Sequence, residues 1–225
     1  MKTPKIDING AMSINGKMLS HLNEKGILTS ATDRQNMDEI RSQYDIILIG
    51  ANTIRKDNPS FIIKDDHLVD QRVKKGLSKQ PAVACVSESL NIPETSRFIQ
   101  ERTTNGEDNT RFIYSPVPLD QSPLPASISS LVRRVDGDRK DFLEKVIHHL
   151  AEQGFFRILC EGGGHVFSQV LGHKLVKNIF ITLMPVVLSY SFSDLFPQTF
   201  YDIPLDLKSS HSQGNELYLH YEVLA

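Results

Sequence analysis

The chain has 225 residues, of which 40% are hydrophobic and 23% are charged, and this balance is typical of a globular protein rather than a disordered one. The formal net charge of -2 gives no basic surplus of the kind that indicates a nucleic-acid partner. Cys85 and Cys160 lie inside short apolar runs, so we expect two buried thiols and neither a disulfide nor a paired-cysteine metal site. No apolar run is long enough to cross a membrane and none resembles a signal peptide, so we expect a cytoplasmic protein.

Short apolar runs alternate with amphipathic segments along the first half of the chain. The run before Gly50 is apolar almost throughout, which is typical of a strand buried on both faces. Thr29 or Ser30 is suited to cap the first helix, because each side chain can accept a hydrogen bond from the first turn. The predicted elements are a strand over 5–11, a turn at 15–16, a helix over 31–43, and strands over 45–49, 82–86 and 111–114.

The second half continues this alternation with a helix over 142–153, a strand over 155–160, a helix from about 165, and strands over 177–188 and 216–223. Strands that alternate with helices predict one α/β domain over 1–225, with a mostly parallel central sheet and helices on both faces. The last strands have no helix between them, so we expect an antiparallel C-terminal edge. The polar segments 64–80, 100–109 and 115–130 are predicted to be solvated loops.

Three glycines follow Glu161 at the end of a predicted strand. Glycines let a ligand approach the backbone closely, and the free N–H groups at the start of a helix attract phosphate, so Gly162, Gly163 and Gly164 are candidates for nucleotide binding. A tight turn that requires positive φ angles explains the same run, and its spacing is neither that of a Rossmann motif nor that of a P-loop. Glu161 itself stands where α/β proteins bind ligands, and its carboxylate is suited to accept N–H groups or to hold a proton.

A second junction, over 50–59, also follows a buried strand and offers a glycine, the Thr53 hydroxyl and a polar turn that includes Asp57. A capped turn is the commoner meaning of such a segment. Two junctions of this kind after two buried strands nevertheless fit a dinucleotide stretched along the edge of the sheet. The basic side chains nearby are suited to a phosphate group, although most surface Lys and Arg are simply solvated: Arg41, Arg55, Lys56 and Lys64.

Two other chemistries lack support in the sequence. The eight histidines show no spacing typical of metal ligands, so no metal site is predicted. The sequence also lacks the Gly-x-Ser-x-Gly elbow that is typical of one large class of hydrolases. The two glycine-bearing junctions are therefore the best candidates for a functional site.

Several blocks of the chain, taken in order, resemble one enzyme family. Residues 11–17 resemble its Ser-x-Asp-Gly-Lys opening, and residues 45–59 resemble its Asp-x-Ile-x-x-Gly-x-x-Thr-x-x-x-Asp-x-Pro block. Residues 80–93 are similar to a third block, and residues 161–164, with 175–176 and 184–185 behind them, match its Glu-Gly-Gly block. The family is the C-terminal reductase domain of bifunctional riboflavin-biosynthesis proteins, together with free-standing fungal and archaeal relatives.

The resemblance implies a dihydrofolate-reductase-like fold, a homodimer and NADPH as the cofactor. It implies reduction of 5-amino-6-(5-phosphoribosylamino)uracil, or of its diaminopyrimidinone analogue, to the ribitylamino form. In this reaction the ribosylamine opens to an imine, and hydride from the nicotinamide adds to the sugar C1′. The protein then mainly supplies alignment and a dry site.

The resemblance also assigns roles to residues by position. Thr53, Asp57 and glycines 162 to 164 would contact the cofactor, and Glu161 would contact the pyrimidine and orient it. Arg41 and Lys64 would hold the substrate phosphate, with Phe61 beside it. These assignments complete the set of site residues that the sequence predicts.

The chain departs from the family pattern at four positions. Asn15 stands where the family usually has Asp, and Lys64 stands where it often has Arg, which would lose the two-pronged grip on phosphate. Ser87 and Glu88 replace an Asp-Ser pair after the third strand. An acid near the adenosine ribose would repel a 2′-phosphate and suit a free 2′-hydroxyl, so we hypothesise that Glu88 weakens the preference for NADPH or shifts it toward NADH.

These departures keep two alternatives open. One is a reductase of the same fold that acts on another pyrimidine or a pterin, which the change at Lys64 would favour. The other is a non-catalytic nucleotide-binding paralogue, which the changes at Asn15, Ser87 and Glu88 would favour. The reductase of riboflavin biosynthesis remains the main hypothesis.

Overall fold

The structure is a computed structural model that describes residues 3–18, 30–102, 109–116, 124–135, 141–198 and 202–224. Its strands are β1 (Lys5–Ser13), β2 (Ile46–Gly50), β3 (Ala82–Val86), β4 (Arg111–Ser115), β5 (Val132–Arg134), β6 (Arg157–Cys160), β7 (Val176–Met184), β8 (Leu205–Gln213) and β9 (Glu216–Val223). Its helices are α1 (Ala31–Arg41), α2 (Ala51–Asp57), α3 (Asp66–Lys74), α4 (Arg97–Gln100), α5 (Ala126–Ser129), α6 (Phe142–Glu152) and α7 (Gly164–Gly172).

The strands form one nine-stranded sheet in the order β5-β4-β3-β2-β6-β1-β7-β9-β8. Every pairing from β5 to β7 is parallel, whereas β9 runs antiparallel to both β7 and β8. The predicted α/β fold with a mostly parallel sheet and an antiparallel C-terminal edge is therefore confirmed. Parallel strands place their carboxyl ends along one edge, and this edge holds both glycine-bearing junctions.

The alternation of side chains along β2 shows how the sheet is covered on both faces. Ile46 and Leu48 belong to a core cluster that includes buried residues of α6 and α7. Ile47 and Ile49 belong to a second cluster that includes buried residues of α2, α4 and α5. All four side chains are at most 1% exposed, as expected for an apolar strand with helices on either side.

The segment 64–80 is not the solvated loop that its charge predicts. It contains α3, whose first turn is capped by the Asp65 carboxylate, which accepts the His67 N–H at 2.8 Å. Only Leu68 and Arg72 of this helix are buried. Its buried face is therefore too narrow to give the repeat of apolar residues that predicts a helix from sequence. Arg72 is completely buried although it is charged.

Five other elements were absent from the sequence prediction: α2, α4, α5, β5 and β8. The polar junction over 50–59 contains α2, and the segment 115–130 contains the short helix α5. Strand β8 shows no alternation because all nine of its residues are exposed, and β5 has only three residues. Strand β7 ends at Met184 instead of continuing to 188. Positions 103–108 and 117–123 of the predicted loops lie outside the described residues.

The smaller predictions about single residues have clear outcomes. Ser30 is the N-cap of α1, since its Oγ accepts the Asp33 N–H at 2.9 Å; Thr29 lies outside the described residues. Cys85 and Cys160 are free and completely buried, as predicted, and burial raises the pKa of the Cys160 thiol to about 12. Within the described ranges, no helix is long and apolar enough to cross a membrane.

Candidate active site

A cleft opens at the carboxyl ends of β1, β2, β6 and β7, beside α1 and α2. It holds about 700 Å³ of space that is not occupied by protein atoms, part of it open to solvent. Three of the predicted site residues line it: Thr53, Asp57 and Glu161. The other lining residues are Asn9, Gly10, Ala11, Met18, Asp33, Asn36, Met37, Ile49, Pro59, Phe167 and Thr182.

The two glycine-bearing junctions lie side by side at this edge because β2 pairs with β6. The Glu161 N–H donates to the Leu48 carbonyl at 3.0 Å, and the Gly50 N–H donates to the Gly162 carbonyl at 2.6 Å. Helices α2 and α7 then begin directly behind the two strands. The sequence prediction that both junctions contribute to one edge is consistent with this arrangement.

The three glycines serve different structural needs. Gly162 has a φ angle of +109°, which only glycine adopts readily, so the tight-turn explanation holds at this position. A Cβ atom on Gly163 would lie 3.0 Å from the hydroxyl oxygen of Thr53, which lines the cleft. A Cβ atom on Gly164 would lie 2.8 Å from the Pro197 ring, so this glycine lets the 194–197 segment pack against α7.

Glu161 is held by Arg41 in a bidentate ion pair. The Arg41 Nε donates to one carboxylate oxygen and Nη2 donates to the other, each at 2.7 Å, and Nη1 donates to the Ser60 carbonyl at 3.1 Å. Arg41 is only 1% exposed. Burial acts to lower the pKa of Arg41, but the charge and hydrogen bonds of Glu161 more than offset it and hold that pKa above its ordinary value. Arg41 therefore stays charged at neutral pH.

Asp38 is a neighbour of this pair that the sequence prediction missed. Its carboxylate lies 3.8 Å from Arg41 Nη1, one helical turn earlier on α1, and it accepts the Lys64 backbone N–H at 3.3 Å. Burial raises the pKa of Asp38, with a further contribution from the charge of Glu161. The only sequence signal for Asp38 is its position three residues before Arg41, which places the two side chains on one helix face.

The structure gathers two more of the predicted residues behind the ion pair and not in the cleft. Phe61 is 1% exposed, packs edge-on against Phe98, and lies with its ring centre 6.0 Å from the Arg41 guanidinium carbon. Lys64 is exposed, three residues further along the chain, and its side chain is not part of the cleft lining. Arg41, Phe61 and Lys64 are thus neighbours, but Arg41 is directed at Glu161.

Glu88 lies further along the same edge of the sheet, just after β3, and its side chain is exposed. Ser87 before it is buried, and its hydroxyl accepts the Leu90 N–H at 3.0 Å. Since β3 is the neighbour of β2 on the side away from β6, Glu88 follows the first strand beyond those whose ends form the cleft.

Asn15 has a specific structural use that explains its departure from the family pattern. Its amide nitrogen donates to the Leu188 carbonyl at 2.8 Å, and its amide oxygen accepts the Leu188 N–H at 3.1 Å and the Ser13 hydroxyl at 2.8 Å. A carboxylate has no N–H to donate, so only an amide completes this pair. The contact ties the 13–18 turn, which carries Met18 into the cleft, to the segment after β7.

The cleft has features that fit a nicotinamide nucleotide. Helix α7 begins directly behind Glu161, with Gly163 as its N-cap and no side-chain hydrogen bond to its first turn, and the N-terminus of a helix favours phosphate groups. The Thr53 hydroxyl beside Gly163 adds a polar group at the same place. Among the described residues, no cluster of three or more His, Cys, Asp or Glu side chains is arranged to hold a metal ion.

The chain belongs to the RibD C-terminal domain family, whose model matches residues 4–219. It is similar to the 2,5-diamino-6-ribosylamino-4(3H)-pyrimidinone 5′-phosphate reductase of Archaeoglobus fulgidus, with 25% identity over 183 residues, or 81% of each chain. It is also 24% identical over 187 residues to the riboflavin biosynthesis protein RibD of Bacillus amyloliquefaciens, covering 82% of this chain and 46% of that one. The resemblance seen in the sequence is confirmed.

Solved structures show the same fold. A pyrimidine reductase-like protein of Corynebacterium diphtheriae superposes with a TM-score of 0.79 at 21% identity, covering 99% of this chain and 92% of that one. Dihydrofolate reductase of Enterococcus faecalis superposes with a TM-score of 0.52 at 8% identity, covering 99% and 98% of the two chains. The predicted dihydrofolate-reductase-like fold is confirmed by both.

The Asn15 contact leads to a first prediction. We expect Asn15→Asp to lower the free energy of unfolding at pH 7 by about 1 kcal/mol, because one hydrogen bond is lost and a carboxylate faces the Leu188 carbonyl. Urea denaturation followed by circular dichroism measures the change, with Asn15→Ala as the control that removes all three bonds without adding charge. An Asp variant as stable as the native protein would contradict this explanation of the departure.

Proposed function

We propose that the protein reduces a phosphoribosylamino-pyrimidine to its ribitylamino form in riboflavin biosynthesis, with NADPH as the main cofactor. The substrate is 5-amino-6-(5-phosphoribosylamino)uracil or its 2-amino analogue, the diaminopyrimidinone that gives the archaeal relatives their name. The observation that carries the proposal is the fixed carboxylate of Glu161, which lines the cleft beside two glycine junctions suited to a nucleotide. The chain acts as a single domain in this proposal.

The proposed roles follow from position in the cleft. Glu161 accepts N–H groups of the pyrimidine and orients it, since its carboxylate is charged and immobilised by Arg41. Thr53 and Asp57, with the glycines 162 to 164, contact the cofactor. The exposed ammonium group of Lys64 holds the substrate phosphate, with Phe61 packed in the core next to it.

The chemistry requires little of the protein beyond alignment and exclusion of water. Thr53, Asp57 and glycines 162 to 164 would hold the nicotinamide nucleotide, which would supply a hydride for the sugar C1′ of the opened imine. A proton from water would complete the amine. Met18, Phe167 and the other apolar lining residues keep water away from this carbon, and Glu161 fixes the pyrimidine that carries it. A group that fixes the reacting carbon within an ångström of its partner is worth about 100-fold in rate.

A reductase assay tests the proposal. We expect the oxidation of NADPH, measured as the loss of its absorbance, to depend on the phosphorylated pyrimidine. We expect Glu161→Gln to lower kcat/KM by about 100-fold, because the ring loses its charged acceptor. Glu39→Gln, an exposed acid on the outer side of α1, is the matched control and keeps full activity. Binding of NADPH without turnover of either pyrimidine would favour the non-catalytic alternative, and turnover of unphosphorylated heterocycles would favour another substrate.

The choice between NADPH and NADH gives a separate prediction. We expect Glu88→Ser to raise kcat/KM for NADPH relative to NADH, by about 10-fold if one repulsive charge faces the 2′-phosphate, since 1.4 kcal/mol is a factor of ten. Glu94→Ser, which alters another exposed acid in the segment after β3, is the comparison. Equal efficiency ratios in the native protein and in Glu88→Ser would remove this residue from the cofactor site.

We also propose a homodimer and a cytoplasmic location. All nine residues of β8 are exposed, Leu205 and Leu207 are 42% and 50% exposed, and β8 pairs with β9 alone among the described strands. An open, partly apolar strand at a sheet edge is a natural surface for a second copy of the chain.

Sedimentation velocity tests the dimer. We expect the native protein to sediment with the mass of two chains at micromolar concentration. We expect Leu207→Lys to sediment with the mass of one chain, because the substitution places a charge in the proposed interface. Val73→Lys changes an apolar residue of the same exposure on α3 and leaves the mass unchanged. A native protein that sediments as one chain at all concentrations would contradict the dimer.

A further inference from the structure

The segment that carries Lys64 is held in place by side chains and not by backbone pairing. Residues 58–65 connect α2 to α3 and are neither helix nor strand. Among the described residues, no backbone–backbone hydrogen bond involves residues 59–64. Phe61 and Ile63 are nevertheless only 1% and 2% exposed, so their peptide groups are shielded from water and need partners within the protein.

Two carboxylates from other parts of the chain accept N–H groups near the ends of this segment. The Phe61 N–H donates to Glu101 at 3.0 Å, and the Lys64 N–H donates to Asp38 at 3.3 Å. An ionised carboxylate has no proton to donate, so neither contact provides a partner for a carbonyl of the segment. The middle of the segment is held by a different kind of group.

Gln80 holds the Ile63 peptide through both atoms of its amide. Its Oε1 accepts the Ile63 N–H at 2.8 Å, and its Nε2 donates to the Ile63 carbonyl at 3.0 Å. Two opposed bonds to one residue are the pattern by which antiparallel strands pair, so the side chain takes the place of a missing strand. A carboxylate lacks the N–H for this pairing, and an aliphatic side chain lacks both groups.

The backbone of Gln80 is itself fixed by its neighbours. Pro81 follows it and restricts its backbone to extended conformations. The Ser78 hydroxyl donates to the Gln80 carbonyl at 2.6 Å. Strand β3 then begins at Ala82, with four buried residues in succession. The Gln80 amide therefore ties the segment that carries Lys64 to the start of a buried strand of the central sheet.

We propose that Gln80 is a positioning residue for the substrate phosphate: its amide fixes the Ile63 peptide, and thereby the point from which the Lys64 side chain extends. This inference rests on the proposed function, in which the Lys64 ammonium group holds the phosphate. A lysine side chain adapts its rotamer, but its reach is limited by the position of its Cα atom. Gln80 thus sets the affinity for the phosphorylated substrate and takes no part in the hydride step.

The split between KM and kcat tests this role. We expect Gln80→Met to raise KM for the phosphorylated pyrimidine about 10-fold and to leave kcat within about twofold, because a contact made equally in the ground state and the transition state changes KM alone. Gln80→Glu keeps an acceptor for the Ile63 N–H but has no donor, and we expect it to recover little. An unchanged KM in Gln80→Met, or a fall in kcat alone, would overturn the proposal.

Gln71→Met is the matched control for this substitution. It removes another glutamine amide, on α3, which lies 2.9 Å from the exposed His67 ring and touches no backbone group of the segment. We expect this variant to keep the native KM and kcat. A rise in KM equal to that of Gln80→Met would show a general loosening of this part of the chain and would overturn the specific role of Gln80.

A double-mutant cycle tests whether Gln80 acts through Lys64. We expect Lys64→Met, which removes the cation, to raise KM about 10-fold by itself. The double variant Lys64→Met/Gln80→Met then has the KM of Lys64→Met within about twofold, because the position of a missing cation no longer matters. Increases in KM that multiply in the double variant would overturn this part of the proposal.

Amide hydrogen exchange, measured by NMR, tests the anchor without turnover. We expect Gln80→Met to speed the exchange of the Ile63 N–H about 10-fold and to leave that of Ile47 in β2 unchanged. If the native protein turns over neither pyrimidine, the proposed function fails, and exchange at Ile63 still decides whether Gln80 holds the segment. Native exchange at Ile63 in Gln80→Met, or an equal rise at Ile47, would overturn the anchor.

Discussion

The buried ion pair between Arg41 and Glu161 is the contact on which the geometry of the cleft depends. Taking a guanidinium and a carboxylate out of water costs several kcal/mol for each ion, and their attraction offsets this only when the geometry is good and the remaining polar atoms are satisfied. Here two bonds of 2.7 Å join the groups, and the Ser60 carbonyl takes a further N–H. Removing either partner leaves an isolated buried charge, so the end of α1 and the end of β6 are held in one arrangement.

The parallel sheet makes such a pair possible between residues 120 positions apart in the chain. Because β2 lies between β3 and β6, the junction after β2 is brought beside the junction after β6, and the two are joined by the bond from Gly50 to Gly162. Helix α1 leads into β2, so its last turn reaches the same edge. The cleft is thus a consequence of strand order, whereas its chemistry depends on a few side chains at the strand ends.

The sequence predicts the buried strands well and the supporting contacts poorly. Uninterrupted apolar runs give β2 and β3 almost to the residue, because a strand buried on both faces leaves no other place for such side chains. The sequence does not predict helix α3 or strand β8, because α3 buries only two residues and β8 buries none. Family motifs identify Glu161 and Arg41 as site residues, but only the folded chain brings them together. Arg72 has no sequence signal, because an arginine within a charged segment gives no indication of burial.

The departures from the family pattern have different meanings once their surroundings are known. Asn15, one of the changes that favour a non-catalytic paralogue on sequence alone, is matched to the Leu188 backbone through both its amide nitrogen and its amide oxygen, which meets a structural need. Its presence therefore gives no support to a non-catalytic paralogue. Lys64 is exposed and free to move its charge toward a phosphate, which a flexible ammonium does without the fixed planes of arginine. In the proposed site, one rigidly held carboxylate would bind the flat ring and one adaptable cation would bind the phosphate. This division would suit a substrate whose sugar must open before it is reduced.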